Sequence, residues 1–445
     1  MELRDIFSEE KLAKLGLNLD GSFKQETDEE KLARLGPYET HGVVFMFPPV
    51  GWQHINMGRA LYETNPSFAH HMRECDKVAS PLLPQPLLEV LYPLKEEESI
   101  YSELIHRMSF CLPALFAIEY SLCQLWKFEG CEPFAVIGHS LGEYVAAVVA
   151  GVLEMPIAIR LLCERALLME DSVSSGCMVA LQAPEQVAED AIDKAGQKDK
   201  ACVAAINGPQ SVVISGDYKA LSSVIRALPA GTKNTRVKAT HADHSQLMGG
   251  VAAGLEAKAT ALYHEKPPNQ PRCLYASTVL GGLASAAQLG EPSYWAKHAT
   301  GAVRFTKALE AIFAAHRQRQ KTPESFFESE FHLHLVEMGE GMLERHASET
   351  ASAYFGGAAE ASKAQVICCS VLQKPTADHA KPFEEQAKAH DLSKEQVMNL
   401  VRAGKLQRFF LGVGQLSTLP ALPGAESDER AEKPLEEPLL PSEPL

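Results

Sequence analysis

A serine hydroxyl becomes a useful nucleophile only when a base stands ready to take its proton. Residues 138–142 read Gly-His-Ser-Leu-Gly, a GxSxG pattern that sets Ser140 between two glycines. The apolar run PFAVIG (133–138) precedes it and the small-residue segment EYVAAVVAGVL follows. A strand, a tight turn and a helix in that order form a nucleophile elbow. The glycines let the backbone turn sharply, and the helix N-terminus turns free N–H groups and a positive dipole end toward developing negative charge. A base is on offer in the block His241-Ala242-Asp243-His244-Ser245. His244 is the best-placed candidate, and His264, His298, His332 and His334 are its rivals.

The elements that must hold these groups can be read around them. GVVFMF (42–47) is a continuous apolar run and suits a buried strand. Helices are expected over 57–77 and over 102–130, the second bent near Pro113. With PFAVIG as the next strand, the alternation calls for an α/β fold whose parallel sheet is covered on both faces. From 176 to 240 the rhythm changes. CMVALQ, CVAAI, SVVISG and NTRVKAT read as strands, while PEQVAEDAIDKAG and YKALSSVIRAL read as helices. The order β-α-β-β-α-β is ferredoxin-like. The expected architecture is therefore a large α/β domain of the α/β-hydrolase-like kind (41–175 and 241–392) carrying an inserted small ferredoxin-like domain (176–240). In the returning part, FHLHLVEM (331–338) is a strand before the turn GEG.

Outside this body, EEKLAKLG (9–16) and EEKLARLG (29–36) are near-duplicates, each a short helix stopped by glycine, so 1–40 reads as a helical extension suited to docking. A C-terminal helix is expected over 393–415. The tail 416–445, rich in Pro and Glu, is expected to be disordered.

The 445-residue chain carries a net charge of −15, which argues against nucleic acid as a partner, because that role needs a cationic surface. The ten cysteines form no CxxC pair, so zinc-knuckle and thioredoxin chemistry are not supported. They read as small core residues of a reducing compartment. The acidic, amphipathic N-terminus lacks an apolar signal core, and no run of about 18 uncharged apolar residues occurs. An intracellular, cytoplasmic setting without a membrane span is expected.

Several separated blocks together resemble the malonyl-transferring acyltransferase domains of polyketide and fatty acid synthases. They are FMFPPVGWQHINMGRALYE, GHSLGEYVAAVVAGVL, INGPQSVVISG, THADHSQLM, EPSYWAKH and VEMGEG, and the likeness runs from about Gly42 to about His390. The resemblance implies that Ser140 is acylated and that His244 is its base, oriented by backbone carbonyls. It implies an oxyanion hole from the backbone N–H groups of Val50 and Leu141. It further implies that Gln53, His139, Asn207, His241 and Asp243 line the substrate site. Arg165, in CERALLM, matches the family's arginine, whose planar fork suits a carboxylate such as that of malonyl. No cofactor is then held permanently. Acyl-coenzyme A is a substrate, and phosphopantetheine belongs to an acyl carrier protein partner. No ketosynthase, reductase or carrier segment is visible, so the expected enzyme serves a polyketide or fatty acid synthase in trans.

Two blocks depart from the family pattern. Pro49-Val50-Gly51-Trp52-Gln53 stands where GQGSQ is usual, which predicts a reshaped oxyanion loop or a narrower entrance. HADH stands where malonyl enzymes carry HAFH, so the smaller, charged Asp243 is expected either to relax crowding at the substrate's α-carbon or to repel the substrate carboxylate. Two alternatives carry other functions. One is an α/β-hydrolase-type esterase or thioesterase, with Asp190 or Asp193 as the middle acid. The other is a non-catalytic docking protein that keeps the fold.

Overall fold

Val44 to Phe47 have no solvent exposure, as an apolar strand lying inside a sheet requires. In the computed structural model, residues 42–372 are described, apart from 129–130, 173–175, 239–240, 320–332, 359–360 and 362–365. The N-terminal extension, the C-terminal helix, the tail and His332 lie outside the described residues.

The first strand, β1 (Gly42–Phe47), is followed by α1 (Arg59–Thr64), α2 (Pro66–Ala79) and α3 (Met108–Phe128). The elbow joins β2 (Ala135–Gly138) to α4 (Gly142–Val149), and α5 (Met155–Asp171) follows. Then comes a second layer of structure: β3 (Gly176–Leu181), α6 (Glu185–Lys194), β4 (Ala201–Gly208), β5 (Ser211–Asp217), α7 (Tyr218–Ala227) and β6 (Asn234–Arg236). The chain returns through α8 (Gly249–Glu265), β7 (Leu274–Ser277), β8 (Gly282–Leu283), α9 (Ser293–Thr300) and α10 (Phe305–Arg319). It ends with β9 (Leu333–Glu337), α11 (Glu344–Phe355) and β10 (Val366–Ser370).

The large sheet has the order β10-β9-β1-β2-β7-β8 and is parallel except at β8. Phe47 lies opposite Gly138 and Met46 opposite Glu337, so β1, β2 and β9 end together on one edge. Loops leaving that edge are the usual seat of ligands in such sheets. The small sheet has the order β4-β5-β3-β6 with antiparallel neighbours. Its own core includes Val179, Leu181, Ile192, Val212, Ile214 and Leu221. Each such side chain, once buried, contributes about 1.5–3 kcal/mol. Backbone bonds from Ile206 N–H to Val303 O and from Val303 N–H to Ala204 O, both 2.8 Å, stitch β4 to the segment after α9.

Three expected elements differ. The helix expected over 57–77 is broken at Asn65. That residue is extended and caps α2 by accepting from the Phe68 N–H at 3.0 Å, and Pro66 begins the new helix. The helix expected over 102–130 is two helices, Glu98–Leu104 and α3, and Pro113 sits within α3. Among the described residues of NTRVKAT, the strand runs only over Asn234–Arg236. Among the described residues α3 alone is long and apolar enough to cross a membrane, and most of it is buried in this core.

Candidate active site

The elbow works because two glycines let backbone meet backbone. A Cβ on Gly138 would collide with the backbone of Gly142 and Glu143, and one on Gly142 would collide with the carbonyl of Phe47. The turn is pinned to β1 by the His139 N–H, which donates to Phe47 O at 2.9 Å. Ser140 itself takes φ 51, the left-handed region that a side chain normally avoids.

Ser140 Oγ lies 2.8 Å from His244 Nε2. His244 also has positive φ, 58, so both partners sit in costly backbone conformations. Its Nδ1 lies 3.1 Å from the carbonyl of Gly301. A carbonyl only accepts, so Nδ1 carries the proton and Nε2 is left bare to accept from the serine. Burial, then the Arg165 charge and His139, push His244 down to about 3, so it is a neutral base near neutrality. Asp190 and Asp193, the acids an esterase triad would need, are exposed on α6 and engage Gln186 and Lys198. A backbone carbonyl holds the place of the third residue.

Arg165 enters from α5 and is 2% exposed. Its Nη1 donates to His298 Nδ1 at 3.2 Å, its Nε has no hydrogen-bond partner, and its guanidinium carbon lies 5.9 Å from the centre of the Tyr144 ring. No carboxylate is within ion-pairing distance of it among the described residues. Asp243 acts on it through space only. The Asp243 Oδ1 is shut off from solvent without a hydrogen-bond partner, and burial raises its carboxyl against the pull of Arg165 and His241.

The other expected lining residues serve the walls. His139 Nε2 donates to Asn207 Oδ1 at 2.8 Å, which ties the elbow to β4. Burial lowers the His139 ring to about 4, and its Nδ1 has no partner. His241 Nε2 donates to Met169 O at 2.7 Å and anchors the loop that carries His244. Gln53 Oε1 accepts from the Gly51 N–H at 2.8 Å and its Nε2 donates to His106 Nδ1 at 3.2 Å, so it braces the Pro49–Gln53 loop. Trp52 is 2% exposed and follows Gly51, whose φ of 132 lies in the region open to glycine. Val50 is half-buried in that loop, and Leu141 is the N-cap residue of α4.

Two contributors escaped the sequence reading, and a third, His298, was named there only as a rival base. Gly301 acts through its carbonyl, which no residue type announces. His298 donates from Nε2 to the carbonyl of Ser140 at 2.9 Å rather than touching the hydroxyl, so it is not the rival base. Glu143 is fully buried and accepts from Tyr275, from Tyr294 at 2.7 Å, and from the Thr278 N–H and Oγ1–H at 2.6 and 2.7 Å. A lone acid in the otherwise apolar GEYVAAVV was the available signal, since such a group is buried only with partners.

A parallel α/β sheet bearing a serine elbow, faced by a carbonyl-oriented histidine and a buried arginine, defines the class as an α/β serine-site protein with a small antiparallel sheet beside the site. Residues 44–397 match the acyl transferase domain model, and the chain belongs to that family. It is an acyltransferase domain of the polyketide synthase type. The polyketide synthase GfsB of Streptomyces halstedii is 37% identical over 271 residues, 60% of this chain and 5% of that protein. This chain therefore spans a small part of the curated relatives it matches. The acyltransferase domain from the second module of the salinomycin polyketide synthase has TM-score 0.63 and 28% identity, covering 90% of this chain and 86% of that one. A malonyl-transacylase solved with its type II polyketide synthase acyl-carrier protein shares the fold, with TM-score 0.58 and 22% identity, covering 75% of this chain and 96% of that one.

Proposed function

We propose that this chain moves a carboxylated acyl group, malonyl foremost, from coenzyme A to the phosphopantetheine thiol of an acyl carrier protein through a Ser140 ester. In that reaction neutral His244 takes the Ser140 proton as Oγ attacks the thioester carbonyl. The oxyanion is met by the N–H groups of Leu141 and Val50, beside the positive end of α4. His244 returns its proton to the departing coenzyme A thiolate. The carrier thiol then attacks the ester, and the same groups act in reverse. Nothing need be bound permanently, since coenzyme A is a substrate and phosphopantetheine travels with the partner. The strands of the small sheet, ordered 2-3-1-4 and accompanied by two helices, support a ferredoxin-like insertion (176–240) in a hydrolase-like domain (41–175 and 241–392).

The observation that carries the carboxylate is Arg165. A buried cation without an ion-pairing carboxylate and with a free N–H is unfavourable unless an anion arrives. The acyl carboxylate of malonyl supplies one through charge-assisted bonds. Arg165→Ala should therefore lose malonyl loading and gain relative activity with acetyl groups, and lysine should rescue only in part because it lacks the fork. The test is competition between malonyl- and acetyl-coenzyme A, read by intact mass and peptide mapping at residue 140, with Ser140→Ala as the blank. An unchanged ratio in Arg165→Ala, or label retained in Ser140→Ala, overturns the assignment.

A further inference from the structure

His298 touches both the arginine and the nucleophile's own backbone. It is 1% exposed on α9, and rings of Tyr144 (5.4 Å), Trp295 (5.8 Å) and His244 (5.7 Å) surround it. Its Nε2 faces the Ser140 carbonyl at 2.9 Å, which can only accept, so Nε2 is protonated. Its Nδ1 faces Arg165 Nη1 at 3.2 Å, which can only donate, so Nδ1 is bare. One neutral tautomer satisfies both ends, and a second ring proton would point at the guanidinium. The ring is thus a rigid spacer between the group that would bind the acyl carboxylate and the residue that would carry the ester. Two flexible joints, the Arg165 side chain and the left-handed turn at Ser140, are fixed relative to one another by a planar ring.

We propose that His298 is a positioning residue that sets the length of acyl group accepted, by bracing Arg165 against the Ser140 carbonyl. The inference rests on the reading of Arg165 as the carboxylate anchor. A malonyl group has one carbon between its carboxylate and the thioester carbonyl, and a succinyl group has two. A braced guanidinium can suit one of these spans; a loose one tolerates both.

Two substitutions separate the ends of the brace. An asparagine amide reaches about as far as Nδ1, so His298→Asn keeps an acceptor for Arg165 and gives up the Ser140 bond. A glutamine amide reaches about as far as Nε2, so His298→Gln keeps the donor to Ser140 and gives up the Arg165 bond. The measurement is the initial rate of Ser140 acylation with malonyl-, succinyl- and acetyl-coenzyme A, with thermal unfolding of each variant as a control for folding. His298→Gln should lower the malonyl-to-succinyl ratio by about tenfold, the weight of one hydrogen bond to a charged group, with the acetyl rate little changed. His298→Asn cuts the same brace at its Ser140 end, so it should lower the malonyl-to-succinyl ratio too while slowing all three thioesters. An equal fall for all three in both variants, or an unchanged ratio in His298→Gln, overturns the proposal and leaves a packing role. The carboxylate reading fails separately, through an unchanged malonyl-to-acetyl ratio in Arg165→Ala.

Discussion

At the scale of single residues, the site is controlled by how burial treats histidine. His244 is held near 3 in the fold and is ordinarily near 6.5 when exposed. Between those values the unfolded chain binds the proton and the folded one does not, so stability is full above about 6.5 and is lost as pH falls toward 3. His71, pushed down to about 3, and His139, to about 4, act in the same direction. The acylation rate should therefore show no inflection near 6.5. Its acid limb should coincide with loss of the fold, followed by rate and circular dichroism across pH 4–8. A rate that halves near pH 6.5 while the fold stays intact would mean that His244 titrates as a wet histidine. The grouping of Ser140, His244 and Arg165 was legible in the sequence because the chemistry proposed for each demands a particular side chain. Gly301 was not, because a carbonyl orients the histidine and every residue has one. His298 was legible as a histidine but not in its role, because its partners come from α5 and from the elbow, far away along the chain.

Among the elements, the turn between β2 and α4 is held by a buried hub at Glu143. Burial raises its carboxyl above the usual range, and four donors from Tyr275, Thr278 and Tyr294 converge on its oxygens. These ties join the first turn of α4 to the end of β7 and to α9, the helix that carries His298. Glu143→Ala would strand buried donors at a cost of about 1–3 kcal/mol for each left unsatisfied, so it should be strongly destabilising. Glu143→Gln keeps an acceptor for Thr278 and leaves the rotatable tyrosine hydroxyls able to accept from its amide. It should lose much less, as thermal unfolding of the pair will measure; equal losses would show that the charge, not the hydrogen bonding, is what holds the turn. Elements defined by apolar runs, such as β1, β2 and β9, were legible from composition, since interior strands need continuous hydrophobicity. The break at Asn65–Pro66 carried its own signal, a capping residue before proline, but the helical periodicity on both sides masked it. The short β6 could not be bounded, because an edge strand with exposed residues has no apolar pattern to mark its ends.

At the scale of the whole described body, the small sheet is tied to the large domain beside the candidate site. The stitch between Val303 and β4 holds the segment that follows α9, and that segment supplies Gly301 to the base. The same stretch presents Lys297 and Lys307 to solvent, with Arg304 half-buried and 3.7 Å from Glu185. Beside it, Leu280 in the turn after β7 and Leu283 at the end of β8 are exposed, and Gly281 packs closely on the Arg304 and Lys307 side chains. On the function proposed above, a local basic and apolar edge on a chain of net charge −15 would suit an acidic carrier whose prosthetic arm has to reach Ser140. Glu185 already offsets part of the Arg304 charge, so the lysines should carry most of the attraction. Exposed charge pairs are individually worth about 0.2–1 kcal/mol, so all three must be reversed to give a clear effect. Reversing Lys297, Arg304 and Lys307 to glutamate should raise KM for the carrier by about tenfold at low salt and leave KM for the coenzyme A thioester unchanged. The difference should shrink as salt is raised, because screening over a Debye length of about 8 Å at physiological ionic strength weakens exposed charges first. Unchanged transfer at low salt would place the carrier on another face, whereas a matching rise for the thioester would mean that the reversals disturb the Gly301 segment and, through it, His244.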